Sequence, residues 1–146
     1  MLKKIVIIVV AFALCLALAA CSGSNMSYTF SVETGEQIEV TLDTTGGYKF
    51  AQSGGDMYLS DSEGKLILTG YFLLPDAYES FALEPTLESG RSNDGDEYLY
   101  TSDDAGTVVF LARAKGASAG VLFYGEEIAG IGTCKAMFER LSFELR

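Results

Sequence analysis

The chain has 146 residues, with 20 Asp and Glu against 10 Lys and Arg, and a formal net charge of −10 at pH 7. It contains no histidine, which excludes Ser-His-Asp and Cys-His catalysis, histidine acid–base chemistry and zinc sites with histidine ligands. The acidic excess, with no basic patch to offset it, excludes nucleic acid as a partner. In chain order the first element is an export signal: Lys3 and Lys4 form a positive n-region, Ile5 to Ala17 an uncharged apolar core, and Leu18 to Ala20 a small-residue site. A transmembrane helix is the competing reading. The apolar run from Ile5 to Ala20 reaches only about 24 Å at about 1.5 Å per residue, short of a hydrocarbon core of about 30 Å.

With the residue that follows it, the small-residue site reads Leu18-Ala19-Ala20-Cys21 and resembles the lipobox of bacterial lipoproteins. The resemblance implies cleavage between Ala20 and Cys21, with Cys21 carrying a diacylglyceryl group and further acylation of the palmitate kind. Cys15 lacks the small residue that the family places before its cysteine, because Leu14 stands there. An ordinary secretory signal is the alternative. Two or three acyl chains hold far more firmly than the single chain that gives marginal membrane binding. The expected location is therefore extracytoplasmic, lipid-anchored to a membrane of the cell envelope. Residues 1–20 are read as the signal peptide, 21–27 as the lipidated Cys21 and a polar tether, and 28–146 as one globular domain. The tether, Ser22 to Ser27, spans at most about 20 Å when extended. Loss of Lys3 and Lys4 leaves eight basic residues against twenty acidic ones, a formal charge of −12.

The mature chain opens with alternation of period two. Tyr28, Phe30 and Val32 share one face and Ile38, Val40 and Leu42 repeat the pattern, with a hairpin turn at Glu33-Thr34-Gly35-Glu36 between them. A break at Asp43 to Gly47 leads to a short strand around Tyr48 to Ala51 and a second break at Gly54-Gly55. Two later hairpins look alike: Ser60-Asp61-Ser62-Glu63-Gly64 before Leu66 to Phe72, and Ser102-Asp103-Asp104-Ala105-Gly106 before Val108 to Ala112. Common turn chemistry accounts for that likeness without duplication.

Leu74-Pro75-Asp76 signals a first short helix over Ala77 to Leu83. Ile131, Cys134, Met137 or Phe138, and Leu141 recur at helical spacing, and Gly130 and Gly132 should delay that second helix to Thr133. Glu126 and Glu127 are placed just before or within its first turn. A last strand, Leu141 to Leu145, turns Phe143 and Leu145 inward, and Glu84 to Asp96 reads as a polar linker. The sum is a single α+β domain with a mostly antiparallel sheet of about eight or nine short strands and two helices. Gly70-Tyr71-Phe72, the Tyr78 helix and the closing Phe138 to Phe143 segment resemble the α/β sandwich of Mog1/PsbP-like proteins. That resemblance implies a late helix followed by a terminal strand and carries no functional residues with it.

Four aromatic residues around the first helix, Tyr71, Phe72, Tyr78 and Phe81, form the candidate pocket for an apolar or sugar ligand. Asp94, Asp96 and Glu97 crowd oxygen donors around Gly95 and are the candidate weak Ca²⁺ site, without EF-hand spacing. Cys134, the only thiol left once Cys15 is removed and Cys21 acylated, is read as a buried structural cysteine. No catalytic residues and no cofactor are assigned. The first function reading is a non-catalytic binding or accessory domain for a protein partner or small ligand. The second is a histidine-free carboxylate hydrolase, for which Asp103 and Asp104 are the adjacent Asp pair.

Overall fold

The computed structural model describes residues 24–126 and 129–146. The lipobox and the signal segment lie outside them. Alternation builds the first sheet: Ile38, Val40 and Leu42 on strand β2 (Gln37–Asp43) are at most 1% exposed, while Glu39 and Thr41 stay half-exposed. β2 is the centre of three strands, flanked by β1 (Asn25–Ser31) and by the terminal strand β10 (Leu141–Leu145). β1 therefore takes in Asn25 to Ser27, which the sequence had placed in the tether.

The second sheet has seven strands in the order β3-β4-β5-β9-β8-β7-β6, every neighbouring pair antiparallel. Two meanders compose it. The first is β3 (Lys49–Ser53), β4 (Asp56–Ser60) and β5 (Leu66–Leu73). The second is β6 (Glu88–Arg91), β7 (Glu97–Ser102), β8 (Thr107–Ala112) and β9 (Gly120–Glu126), whose last strand closes on β5. Helix α1 (Pro75–Ala82) links the two meanders, and α2 (Ile131–Phe138) links β9 to β10.

The seven-stranded sheet is apolar on both faces, so it needs a layer on each. On the inner face Leu68, Val108, Phe110, Val121 and Phe123 meet the three-stranded sheet and α2 in the main core. Phe138 of α2 centres it: its ring stacks on Phe110 at 4.8 Å and 9°, with Tyr98 at 4.9 Å and Phe123 at 5.6 Å. On the outer face Leu73, Leu111 and Leu122 form a smaller core beneath α1, with Tyr71, Ala77 and Tyr78 packed against it.

The two look-alike hairpins share the same hydrogen bonds. Asp61 Oδ1 accepts from the N–H groups of Glu63 and Lys65, and Asp103 Oδ1 accepts from those of Ala105 and Thr107, all at 2.9–3.0 Å. Gly64 and Gly106 close these turns at φ of 83° and 84°, a conformation that a side chain disfavours.

The expected α+β architecture of antiparallel strands and two helices is present, with ten strands shared between two sheets. Four finer expectations are corrected. Glu84 to Asp96 is not a linker throughout, because β6 pairs with β7 inside it. α2 starts at Ile131 despite its glycines, and Glu126 ends β9 in place of opening the helix. Packing of Cys134, Met137 and Phe138 outweighs the weak propensity there. Leu145 remains 36% exposed, whereas Phe143 packs on the core.

Candidate functional site

Four separate segments converge at one corner of the sandwich: the end of β1 with its turn, the Gly54-Gly55 tip of the β3–β4 hairpin, the end of β5, and Ala119 just before β9. They enclose a cleft of about 300 Å³, at the lower end of the range of about 300–1,000 Å³ typical of small-ligand sites. Phe30, 7% exposed, and Phe72 form its inner wall, with ring centroids 5.2 Å apart and planes tilted by 55°. Tyr71 and Leu74 border it, and Leu74 is 49% exposed. Its polar lining comes from Ser31, Glu33, Thr34 and Asp56 and includes no Lys or Arg.

Glu36 fixes one wall. Its carboxylate accepts from the Thr34 hydroxyl at 2.7 Å, from the Ala119 N–H at 3.0 Å and from the Ser118 N–H at 2.8 Å. Those bonds, the Thr34 hydroxyl foremost, hold the carboxyl below the usual carboxylate range. They also tie the β1–β2 turn to Ala119 across the mouth of the cleft, so the wall is set before any ligand arrives.

The structure divides the candidate aromatic set. Tyr71 and Phe72 reach the cleft from opposite faces of β5, as neighbours in a strand must. Tyr78 lies elsewhere, over Gly120 with the Arg113 guanidinium 4.4 Å above its ring, and Phe81 is 45% exposed on α1. These four residues do not form one pocket.

The structure does not gather the Ca²⁺ candidates into a ligand set. Asp94, Asp96 and Glu97 sit in the β6–β7 hairpin, where Arg91 pairs with Glu97 at 3.0 Å and donates to the Gly95 carbonyl. Among the described residues, no group of three or more acidic or cysteine side chains is placed to hold a metal ion. Asp103 spends its Oδ1 on the turn and Asp104 is exposed beside it. Cys134 is fully buried, its Sγ 3.8 Å from the Glu126 carbonyl, and burial pushes its thiol pKa up. That environment opposes the thiolate that nucleophilic chemistry needs.

A hollow of about 330 Å³ lies against Thr86, Glu88, Tyr100, Thr101, Ser102, Val108 and Ile131, with the single ring of Tyr100 where the cleft has both Phe30 and Phe72. Most of the cleft's lining was missed in the sequence. Phe30 and Val32 look like ordinary core residues there, and nothing local to Gly54-Gly55 or Ala119 says that they meet.

Among the described residues, no helix is long and apolar enough to cross a membrane. Comparison with protein-family models, with curated proteins and with solved structures returned no match.

Proposed function

We propose that this chain is an extracytoplasmic lipoprotein, anchored to the membrane through Cys21, whose folded domain binds a small ligand or a partner protein at the Phe30/Phe72 cleft without catalysing a reaction. The observation that carries the reading is where the cleft lies relative to the anchor. β1 begins at Asn25, so Ser22 to Ser24 alone separate it from Cys21, a reach of at most about 14 Å. The strand then runs seven residues to Ser31, about 20 Å further along, and the cleft opens at that far end. An anchor at one end of β1 and a cleft at the other suit a module held at a surface while it presents a site away from it.

The hydrolase reading gains no support from geometry, because Asp103 and Asp104 line none of the cleft and Asp103 is committed to its turn. Kinship with Mog1/PsbP-like domains belongs to the same proposal and is supported by α2 leading into the terminal strand β10. An experimental structure in which that order of elements breaks on superposition with such a domain would remove it.

The anchor is tested by Cys21→Ser. Wild type is expected in the membrane fraction, and the variant as uncleaved precursor or as soluble protein. Identical fractionation of the two, with the same processed N-terminus in both, would overturn the anchor.

A further inference from the structure

From the lining of the cleft we infer the class of its ligand: a small organic cation, an ammonium group on a short apolar or aromatic body. The inference rests on the reading of this cleft as a binding site. Two independent turns each bring a carboxylate to it, Glu33 from the β1–β2 turn and Asp56 from the start of β4. No basic side chain among the lining residues neutralises either of them. Each arginine of the described residues is already ion-paired elsewhere: Arg91 with Glu97, Arg113 with Glu79, Arg140 with Asp43, and Arg146 with Glu39 and Glu144.

The inner wall supplies the second half of the recognition. Phe30 and Phe72 offer ring surface to an apolar body. An ammonium near such faces is attracted by the ring quadrupole as well as by the carboxylates. A volume of about 300 Å³ admits one ring with a short chain. An anionic ligand would meet two uncompensated carboxylates on a chain whose net charge is already −10, and the field of the whole molecule steers cations inward.

The test uses the lipidated full-length protein in phosphocholine nanodiscs and three matched probes: 2-phenylethylammonium, 2-phenylethanol and 3-phenylpropionate. Amide shifts of Val32, Gly54, Gly55 and Ala119 report occupancy. The ammonium probe should saturate those shifts, with an affinity about fivefold or more above that of the alcohol and a preference that weakens as salt rises. The carboxylate probe should be the weakest of the three.

The exposed pair Glu33→Gln and Asp56→Asn is isosteric and leaves the apolar wall in place. In that double variant the ammonium and the alcohol should bind alike. Equal binding of all three probes to the wild type overturns the cation class and leaves the cleft standing as a binding site. An ammonium preference unchanged in the double variant overturns it too. No perturbation of the cleft amides by any probe overturns the ligand class and removes the cleft from the functional reading, while the Cys21 anchor stands or falls by fractionation.

Discussion

Glu36 shows how a single part-exposed carboxylate can organise a site. Its three acceptor contacts join the β1–β2 turn to Ser118 and Ala119, and they favour the charged form. Because the folded pKa lies below that of the unfolded chain, the stabilisation is present above an unfolded value of about 4.3 and is lost as pH falls through the folded value. Glu36→Gln should therefore lower the melting temperature at pH 7, and the gap to wild type should narrow as pH falls below about 4.3. A gap independent of pH would contradict this origin. Tyr98 makes a second such contact, its hydroxyl donating to Glu139 Oε1 at 2.5 Å. Burial of Tyr98 and that bond both raise its pKa far above the usual tyrosine range. Tyr98→Phe should cost about 1 kcal/mol, less than the ~1.5–3 of a fully buried charged partner, because water can reach half-buried Glu139. Denaturant unfolding measures it, and an unchanged midpoint would assign the bond no net value.

The junction of β5, β9 and α2 limits what each element can carry. A Cβ at Gly125 of β9 would lie 2.6 Å from the Ile67 carbonyl oxygen and 3.0 Å from Cys134 Sγ. The first neighbour is backbone at the irregular start of the β4–β5 register and cannot swing away. Gly125→Ala should thus destabilise by about 1–3 kcal/mol through overpacking, and a melting temperature equal to wild type would refute the close packing. Phe138→Ala removes the centre of the aromatic cluster and should cost about 3–5 kcal/mol, a large share of the ~5–15 kcal/mol that holds a domain of this size.

The sheet was legible in the sequence wherever one face is buried. Ile38, Val40 and Leu42 alternate with polar neighbours, and Val108 to Ala112 reads as a core strand. β6 was not legible, because Glu88-Ser89-Gly90-Arg91 carries no apolar alternation. Its place is set by β7, whose Tyr98 ring lies close against Gly90. The cleft was half legible. Tyr71 and Phe72 stood out as aromatic, but Phe30, Gly54 and Ala119 join them only through the β5–β9 pairing and the stacking of one sheet on the other, which no local pattern encodes.

At the scale of the whole molecule, charge and attachment dominate. Acidic residues outnumber basic ones two to one across the chain, and the arginines that could offset them are tied up in surface pairs. Self-repulsion at this charge opposes compaction, so added salt should raise the melting temperature as it screens the repulsion over a Debye length that shrinks from about 30 Å at 0.01 M to about 8 Å at 0.15 M. A fall with added NaCl would show that the surface pairs contribute more than the repulsion. Attachment through Cys21 would confine this acidic domain near a membrane and leave the cleft at the far end of β1. The most direct measurement is the mass of the N-terminal peptide from protein extracted out of membranes. The expected peptide begins at Cys21 and carries a diacylglyceryl thioether with its acyl chains. A peptide that begins at another residue, or an unmodified Cys21, would contradict the anchor on which the proposed function stands.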